Sequence, residues 1–542
     1  MTTTFKDLTS ENLLCAKIDD PIIKNGTPHF EFNRWCEQFV TTNSVFVDTC
    51  GGIGILPLMM SRRCKEVLCE SESPKCLINT ANINKMNNIK MGIDIFPDNV
   101  DFIRLTRKID PDLLKFTGYC PVVIPYELQM WIEGIGYETD ILPKRMEYLI
   151  CTHPDSKKNQ IRKDNNTYLD MISAAQKLVS QSRYYEAHHM LTDANQLYPT
   201  TPYSYLTDEM KTMYAHYIGD KSLGMQSCEN IIMSYDHGFG SRNKAMDTYK
   251  FYSTPIKYTQ RTNILFETPQ NYVQTSSSMI KTGNSYLMNV RVVNYTIADN
   301  GSYIIRDPHN IVRTRNFLVF LGKELYTISV VELIDESGIK LLDNPRICGL
   351  EDVRLIDDES LFCTRVDVNG TPSIFHCLFK KNGVITNCKH INMGGPLRCE
   401  KNWMPFKCDE NKLHFIYTCD PLVLCQLENN NVTRVIESNM SSLRVDEFRG
   451  SAPPIRYNDG WLFTVHQVHH AGKRKYYHRL VWTKEFKEYK YSKLFTFETP
   501  NIEFNLSICY NGFEILMVYS VEDTGTHIAH VSNSTVHKML FD

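Results

Sequence analysis

Five short clusters of charged, polar and aromatic residues follow one another between Gly349 and Asp523. They read G-L-E-D-V-R-L, E-K-N-W-M-P-F, F-R-G-S-A-P-P, G-W-L-F-T-V-H and V-Y-S-V-E-D-T. Each cluster adjoins a run of β-branched and aromatic residues that is typical of a strand. Charged groups at the ends of several strands can meet at one edge of a β scaffold, so the clusters predict a polar site there.

The clusters supply carboxylates, cations and an imidazole. Asp352 and Arg354 are two positions apart, so in a strand both would point to the same face and the cation would stabilise the acid. Arg449 precedes a small-residue turn that lets a ligand approach the backbone, and His466 and Asp523 end two further strands. Such a set suits protonation of a leaving oxygen beside a bound anion. Each cluster alone is typical of a surface ion pair or a core histidine.

The second cluster combines polar and aromatic residues. Lys401 and Asn402 stand immediately before Trp403, and Phe406 follows three positions later. We expect the two rings to form a flat apolar wall, and walls of this kind stack on the faces of sugars.

The chain from residue 262 to 542 is rich in strand-like runs, which are separated by turn sequences such as N-G, D-G and D-N-G. Helical periodicity is almost absent. Short antiparallel strands in such number are typical of a sandwich or a propeller. At about 50 residues for each four-stranded blade, this segment has room for five blades.

In their order and context the five clusters resemble the motifs of glycoside hydrolase family 130. This family consists of five-bladed β-propellers and includes inverting β-mannoside phosphorylases and β-1,2-mannosyltransferases. The resemblance spans residues 275–535 and is carried by G-L-E-D-V-R, K-N, G-S-A-P-P, G-W-L through His466, and D-T. This chain departs from the family at Val353, which replaces a proline, and at Val465 and Gln467, which replace tyrosine and glycine.

The resemblance implies roles for individual residues. Asp352 would be the general acid and would pass its proton through a substrate hydroxyl, with Arg354 orienting it. Asp523 would bind sugar hydroxyls. The full set of groups expected to bind sugar or phosphate is Arg354, Lys401, Asn402, Trp403, Arg449, His466 and Asp523, with Arg291, Asn294 and Arg315 from the opening blade.

Residues 1–155 alternate strand-like and helix-like segments, which predicts an α/β, Rossmann-like domain with a doubly wound parallel sheet. The run V-F-V-D-T-C-G-G-I-G resembles the S-adenosylmethionine loop of FkbM-type methyltransferases, whereas the dinucleotide pattern G-x-G-x-x-G is not met. The residues that would hold this cofactor are Asp48, Gly51, Gly52, Gly54 and Glu70. Cys50 and Thr106 stand where the family has a glycine and an acid, and the domain is shortened. We therefore favour an inactive or scaffolding domain over an active methyltransferase.

Residues 160–258 contain helix–turn–helix patterns. Ala187 and Gly224 occupy matching positions in two such units, 37 residues apart. This spacing resembles that of tetratricopeptide repeats, whose period is about 34, and it implies a helical spacer able to bind a protein partner. An unrelated helical linker is the alternative.

Composition excludes several classes of protein. The 542 residues carry a net charge of −3 with lysine and arginine scattered, which argues against a nucleic-acid-binding protein. No apolar run reaches the ~18 to 20 residues of a membrane span. The 18 cysteines include no C-x-x-C pair, which predicts reduced thiols and no metal site. Without a visible secretion signal we expect a cytoplasmic protein. The residue usage, rich in Asn, Lys and Ile, resembles that of large AT-rich DNA viruses, which would place it in the host cytoplasm or virion.

Three functional hypotheses follow. The first is inverting transfer of a hexosyl group, most plausibly mannosyl, between a sugar nucleotide or sugar phosphate and a glycan or phosphate, with no cofactor in the propeller. The second is an S-adenosylmethionine-dependent sugar O-methyltransferase with a glycan-binding propeller. The third is a non-catalytic assembly protein.

Overall fold

A computed structural model describes most of the chain after residue 158. The described ranges there are 159–233 and 239–541, with gaps at 395–396, 409–411, 420–421, 430, 439–447 and 470–472. Before them the described residues are 40, 42–48, 64–69, 89–91, 100–104, 122–125, 128–135, 137–141 and 148–152. The chain divides into two compact units, residues 1–252 and 253–542.

The first unit begins with a seven-stranded sheet. Its strands are β1 (Val45–Asp48), β2 (Glu66–Cys69), β3 (Ile89–Met91), β4 (Val100–Arg104), β5 (Val122–Pro125), β6 (Glu138–Ile141) and β7 (Tyr148–Thr152). They are arranged in the order β3-β2-β1-β4-β5-β7-β6. The strands β3, β2, β1, β4 and β5 are mutually parallel, and β7 is antiparallel to both β5 and β6. The crossovers between the parallel strands lie outside the described residues, so the Rossmann-like layering stays a prediction.

The described residues of the first unit also form six helices. They are α1 (Gln129–Glu133), α2 (Asn159–Ser180), α3 (Tyr184–Leu197), α4 (Leu206–Tyr214), α5 (Lys221–Met233) and α6 (Phe239–Tyr252). Ala187 is fully buried in the core that α2, α3 and α4 share. At Gly224 an added Cβ would lie 2.3 Å from the ring of Tyr252, so α5 and α6 approach closely there. Among the described helices, none has the length and apolar composition to cross a membrane. The tetratricopeptide assignment stays a prediction.

The second unit contains five antiparallel sheets in chain order. Blade 1 consists of β9 (Val273–Thr282), β10 (Ser285–Val293), β13 (Val312–Leu321) and β14 (Thr327–Glu332). Blade 2 consists of β17 (Glu351–Leu355), β18 (Ser360–Arg365), β19 (Ser373–Phe379) and β20 (Val384–His390), and β15 (Ile334–Asp335) adds to its edge. Blade 3 consists of β21 (Met404–Lys407), β22 (Leu413–Cys419), β23 (Leu422–Glu428) and β24 (Asn431–Ser438).

The last two blades complete the arrangement. Blade 4 consists of β25 (Arg449–Gly450), β26 (Ile455–Tyr457), β27 (Gly460–His469), β28 (Lys475–Lys484) and β29 (Glu488–Tyr491). Blade 5 consists of β30 (Glu503–Tyr510), β31 (Glu514–Val521), β32 (Thr524–Ser532) and β8 (Gln260–Asn263). Three short strands, β11 (Tyr295–Ile297), β12 (Tyr303–Ile305) and β16 (Ile347–Cys348), lie in connections, and α7 (Asn533–Phe541) ends the chain. The five-bladed, propeller-like arrangement predicted from the sequence is confirmed.

Small hydroxyl side chains bring the inner strands of the blades together. Ser507 in β30 accepts a hydrogen bond from the backbone N–H of Met279 in β9 at 2.8 Å. On the other side of β9, Ser278 accepts one from the N–H of Leu355 in β17 at 3.2 Å. Because serine is short, it lets neighbouring backbones approach while satisfying their polar groups. The inner strands of blades 1, 2 and 5 are therefore tied directly to one another.

The first and last blades also share a hydrophobic core. β8 precedes blade 1 in the chain but pairs with β32 of blade 5. Ile264 follows β8 and is 2% exposed, packed in a cluster that contains residues of blades 1 and 5. Because β8 comes before blade 1 in the chain and completes blade 5, it joins the first blade to the last and closes the ring.

Ile264→Ala should lower the free energy of unfolding of the propeller by about 2 to 5 kcal/mol, because it removes a buried side chain from the closing contact. Ile264→Val should cost about 0.5 to 1.5 kcal/mol. Urea denaturation measures both effects. The next residue, Leu265, is exposed and supplies the control. Leu265→Ala should change the free energy of unfolding by about 0.5 kcal/mol or less. Equal effects of Ile264→Ala and Leu265→Ala would contradict a closing role for Ile264.

Candidate functional site

A polar cavity of about 300 Å³ lies where all five blades contribute side chains. Seven of the predicted site residues line it: Arg291, Asp352, Lys401, Asn402, Arg449, His466 and Asp523. Nine further residues line it that the sequence had not singled out as site residues: Ser276, Tyr295, Tyr303, Val312, Ile347, Glu351, Arg474, Tyr476 and Phe504. Four cations and three carboxylates therefore face one small volume.

Arg291 of β10 is the centre of the acidic side of the cavity. It is 6% exposed, and its Nη1 donates a hydrogen bond to Oδ1 of Asp352 at 3.0 Å. Its Nη2 lies 3.6 Å from Oε1 of Glu351. Burial acts to lower the pKa of Arg291, but Tyr295, Glu351, Asp352 and Asp523 together raise it above its usual value. The arginine is therefore charged, and it allows acids to lie side by side.

A distortion of β17 aims the acids into the cavity. The pairing of β17 with β18 shifts between Glu351 and Arg354, and Asp352 has a φ of +46°. These two irregularities break the strand alternation, so the adjacent Glu351 and Asp352 both line the cavity. Aspartate is one of the few residues that adopt left-handed backbone readily. Backbone of this kind is often found at functional sites.

Arg354 does not form the predicted pair with the Asp352 carboxylate, and its Nη1 donates instead to the backbone carbonyl of Asp352 at 3.4 Å. Arg354 is 2% exposed, and its Nε and Nη2 donate to the carbonyl oxygen of Ser451 at 3.3 and 3.1 Å. Burial lowers its pKa to about 10. Arg354 thus joins blade 2 to blade 4 beneath the cavity lining, and Arg291 takes the place predicted for it.

The aromatic wall predicted at Trp403 and Phe406 is also wrong. Trp403 is 1% exposed and stacks on Phe415 of its own blade, with ring centroids 4.8 Å apart. Phe406 is 5% exposed and contacts other core rings. Both are core residues because the start of β21 turns them into the blade. The rings that line the cavity come from other positions: Tyr295 and Tyr303 from short strands in connections, Tyr476 from β28 and Phe504 from β30.

Two weaker candidates from the opening blade also have structural roles. Asn294 is 2% exposed; its amide group donates to the carbonyl of Ile311 at 2.9 Å and accepts from the N–H of Arg313 at 2.8 Å. Arg315 forms a two-pronged ion pair with Glu332. Their side chains are committed to these bonds, and neither residue lines the cavity.

Asp523 lies on the blade 5 side of the cavity and also has left-handed backbone, with a φ of +52°. Its Oδ2 accepts a hydrogen bond from the hydroxyl of Tyr295 at 3.1 Å. Burial raises the pKa of Asp523, and the charge of Asp352 adds to this, whereas Arg291 and Tyr295 oppose it. Asp523 therefore holds a proton to higher pH than an ordinary aspartate.

His466 is a neutral imidazole. It is 3% exposed, and its Nδ1 lies 2.9 Å from the hydroxyl oxygen of Ser451. Burial lowers its pKa well below the usual value, and His478, Arg449 and Arg354 lower it further. At neutral pH His466 can exchange hydrogen bonds with a ligand but adds no charge.

The cationic side of the cavity is formed by blades 3 and 4. Lys401 is 41% exposed and lies 3.7 Å from Glu351, too far for a strong ion pair. Arg449 is exposed, and no carboxylate pairs with it among the described residues. Arg474 donates to the hydroxyl of Tyr303 at 3.0 Å. These three cations line the same cavity as the acids and supply the positive charge that an anionic ligand would need.

The S-adenosylmethionine site predicted in the first unit cannot be placed in the same way. Gly51, Gly52, Gly54 and Glu70 lie outside the described residues. Asp48 ends β1.

Comparison with known proteins gives likenesses of fold only. No family model matches the sequence, and no curated protein matches it. A β-1,2-mannobiose phosphorylase from Listeria innocua, solved with β-1,2-mannobiose, is 12% identical over 51% of this chain and 95% of its own, with a TM-score of 0.33. A mannose phosphorylase from Leishmania mexicana, solved with phosphate ion, is 9% identical over 53% of this chain and 92% of its own, also at 0.33. An rRNA methylase from Streptococcus thermophilus is 10% identical over 23% of this chain and 94% of its own, at 0.18. At these values the likenesses carry no argument about activity.

The raised pKa of Asp523 predicts a pH-dependent stability. The folded state holds this proton more tightly than the unfolded chain, so the stabilisation is complete below the ordinary pKa of about 3.9 and is lost as pH rises through the raised value. In Asp523→Asn the amide accepts the bond from Tyr295 but does not titrate. The free energy of unfolding of wild type minus that of Asp523→Asn should therefore fall as the pH is raised from about 4.

Urea denaturation at a series of pH values measures the difference. Asp459 is the control of opposite sign, since its hydrogen bond to Lys484 lowers its pKa. Its contribution is present above the ordinary pKa and is lost as pH falls, so the wild-type minus Asp459→Asn difference should fall towards low pH. A wild-type minus Asp523→Asn difference that rises with pH would contradict the burial of Asp523.

Proposed function

We propose that the propeller is a carbohydrate-active enzyme that transfers a hexosyl group, most plausibly mannosyl, with inversion. Asp352 is its general acid. The observation that carries this proposal is the arrangement of Asp352 in the cavity. Its Oδ1 is held by Arg291 at 3.0 Å, its Oδ2 has no partner among the described residues, and Lys401, Arg449 and Arg474 line the same cavity. One oxygen is thus fixed and the other is free to reach a substrate hydroxyl.

The acids and cations divide the cavity between a sugar and an anion. Carboxylates accept hydrogen bonds from sugar hydroxyls, and Glu351, Asp352 and Asp523 provide three such groups. Lys401, Arg449 and Arg474 would bind phosphate, either free or as part of a nucleotide. In an inverting transfer the attacking group and the acid lie on opposite faces of the anomeric carbon, and the anion bound by these three cations would be the attacking group.

As the general acid, Asp352 gives up the proton of the carboxyl oxygen that Arg291 does not hold. The proton then passes from Asp352 through a substrate hydroxyl to the leaving oxygen.

Asp352→Asn should abolish turnover and leave folding intact, because the amide keeps the bond to Arg291 but has no acidic proton. The assay is release of mannose and mannose 1-phosphate from β-1,2-mannobiose with inorganic phosphate, with mannosyl nucleotides as alternative donors. A loss of about 1,000-fold or more is expected, within the usual size of general acid catalysis together with lost positioning.

The matched control is Asp358→Asn on the same blade. Asp358 is 41% exposed and pairs with Lys381, away from the cavity, so its variant should keep wild-type rates. Turnover that survives in Asp352→Asn would show that another group is the acid.

The order of strands in the first unit favours a second candidate function. The order β3-β2-β1-β4-β5 is that of doubly wound nucleotide-binding sheets, and the topological switch lies between β1 and β4. Ligands of such sheets bind beyond the carboxyl ends of the strands at this point. The glycine-rich sequence follows β1 directly. We therefore keep S-adenosylmethionine binding, and with it a sugar O-methyltransferase, as an alternative activity of this unit.

Titration calorimetry with S-adenosylmethionine tests this alternative. Glu70→Ala should weaken binding by about ten-fold or more, because a carboxylate that holds ribose hydroxyls is lost. Glu138→Ala, at an exposed position of β6, should bind as wild type. No heat of binding to the wild-type protein would leave the first unit as a scaffold. In that case a protein partner bound through the helices, as expected for an assembly protein, would be its remaining role.

A further inference from the structure

The turn before the two acids is held by side chains from two different blades. Gly349 donates its backbone N–H to Oδ2 of Asp367 at 2.8 Å. The next residue, Leu350, accepts a hydrogen bond at its carbonyl from the side-chain amide of Asn316 at 2.9 Å. Asp367 belongs to blade 2 and Asn316 to β13 of blade 1, and each is 1 to 2% exposed. The backbone is therefore fixed at the two positions that directly precede Glu351.

Asp367 is itself held by a buried ion pair. Arg365 donates from Nε to Oδ1 of Asp367 at 2.9 Å and from Nη2 to Oδ2 at 3.3 Å. The third arm of the guanidinium, Nη1, reaches Asp335 at 2.6 Å. The side chains of Arg365 and Asp367 are 3% and 2% exposed. A buried charge of this kind is costly to leave unpaired, so Arg365 fixes the position of the Asp367 carboxylate.

Asn316 is fixed in the same manner. Its Oδ1 accepts a hydrogen bond from the side chain of Asn289 at 3.0 Å, so its Nδ2 must point towards Leu350. Asn289 is 0% exposed. Blade 1 therefore determines the position of the Leu350 carbonyl. Blade 2 determines the position of the Gly349 amide.

The turn also leaves no space for a side chain at its first residue. Gly349 has a φ of +96°, and an added Cβ would lie 2.3 Å from the carbonyl oxygen of Thr314. Only glycine fits where the turn passes this close to β13. Three residues later comes Asp352, whose own φ is positive. A shift of the turn would carry the carboxylate away from Arg291.

We propose that Asp367 and Asn316 are positioning residues that hold the Gly349–Leu350 turn and thereby place Asp352 for proton transfer. This inference rests on the proposed function for its effect on catalysis, whereas its structural part does not. Neither side chain lines the cavity, so both act through the backbone of the turn.

Two isosteric variants test the proposal. Asp367→Asn replaces one of the two accepting carboxylate oxygens with an NH2 group, which then faces either the Gly349 amide or Arg365. In Asn316→Asp an oxygen replaces the donor to Leu350. Each should lower kcat for phosphorolysis of β-1,2-mannobiose by about 100-fold, as expected for a misplaced catalytic group. KM for inorganic phosphate should change by about two-fold or less, because the cations lie on other blades.

Asp335→Asn is the matched control. It removes a charge from the same Arg365 but does not contact the turn. Its kcat should stay within about three-fold of wild type even if its stability falls as far as that of Asp367→Asn. Equal losses of kcat in Asp335→Asn and Asp367→Asn would show that the ion pair only stabilises the blade, and would overturn the proposal.

Hydrogen exchange separates failure of this inference from failure of the proposed function. The exchange of the Gly349 amide, followed by mass spectrometry of the peptide that contains it, should accelerate in Asp367→Asn and stay unchanged in Asp335→Asn. If wild type shows no turnover, the proposed function fails, and this readout still tests the turn. Unchanged protection of Gly349 in Asp367→Asn would overturn the inference whatever the activity.

Discussion

The site depends on the interactions of Arg291 with the acids around it. Three carboxylates face a cavity of about 300 Å³, and like charges in such a volume destabilise the fold unless a cation lies among them. Arg291 bonds Asp352 and lies close to Glu351, and its charge also opposes the rise in the pKa of Asp523. It lies in β10 and pairs with Asn316 of β13, at the point where the pairing of β10 with β9 shifts register. The acids of blades 2 and 5 are thus gathered around a cation that blade 1 holds still.

The propeller makes this arrangement possible because neighbouring blades are firmly joined. Blades 4 and 5, blades 1 and 2, and blades 2 and 3 share apolar clusters, and hydroxyl side chains of the inner strands add further links. Three residues that line the cavity, Asp352, Asn402 and Asp523, have positive φ. All three are Asp or Asn, whose short polar side chains tolerate this conformation best. The strain is sustained because the surrounding strands fix the turns from both sides.

Much of the propeller was predictable from sequence, since strand-like runs and turn residues report local structure directly. The order of the charged clusters also identified six residues that line the cavity, and Arg291 of the opening blade was the seventh. Prediction failed where one residue breaks the strand period. Asp352 adopts left-handed backbone, so the alternation that would pair it with Arg354 does not hold. Trp403 is a core residue because its direction depends on packing in blade 3, which the local sequence does not specify. Tyr303 and Arg474 lie in connections without any periodic pattern.

The central claim is that this cavity transfers a sugar with inversion. The most direct measurement is proton NMR of the anomeric signals while the protein acts on β-1,2-mannobiose with inorganic phosphate, and on mannosyl nucleotides with a mannose acceptor. The account predicts α-mannose 1-phosphate from the β-linked disaccharide, or a β-linked product from an α-linked nucleotide donor. Retention of anomeric configuration, or no consumption of any mannosyl donor by the intact protein, would contradict it.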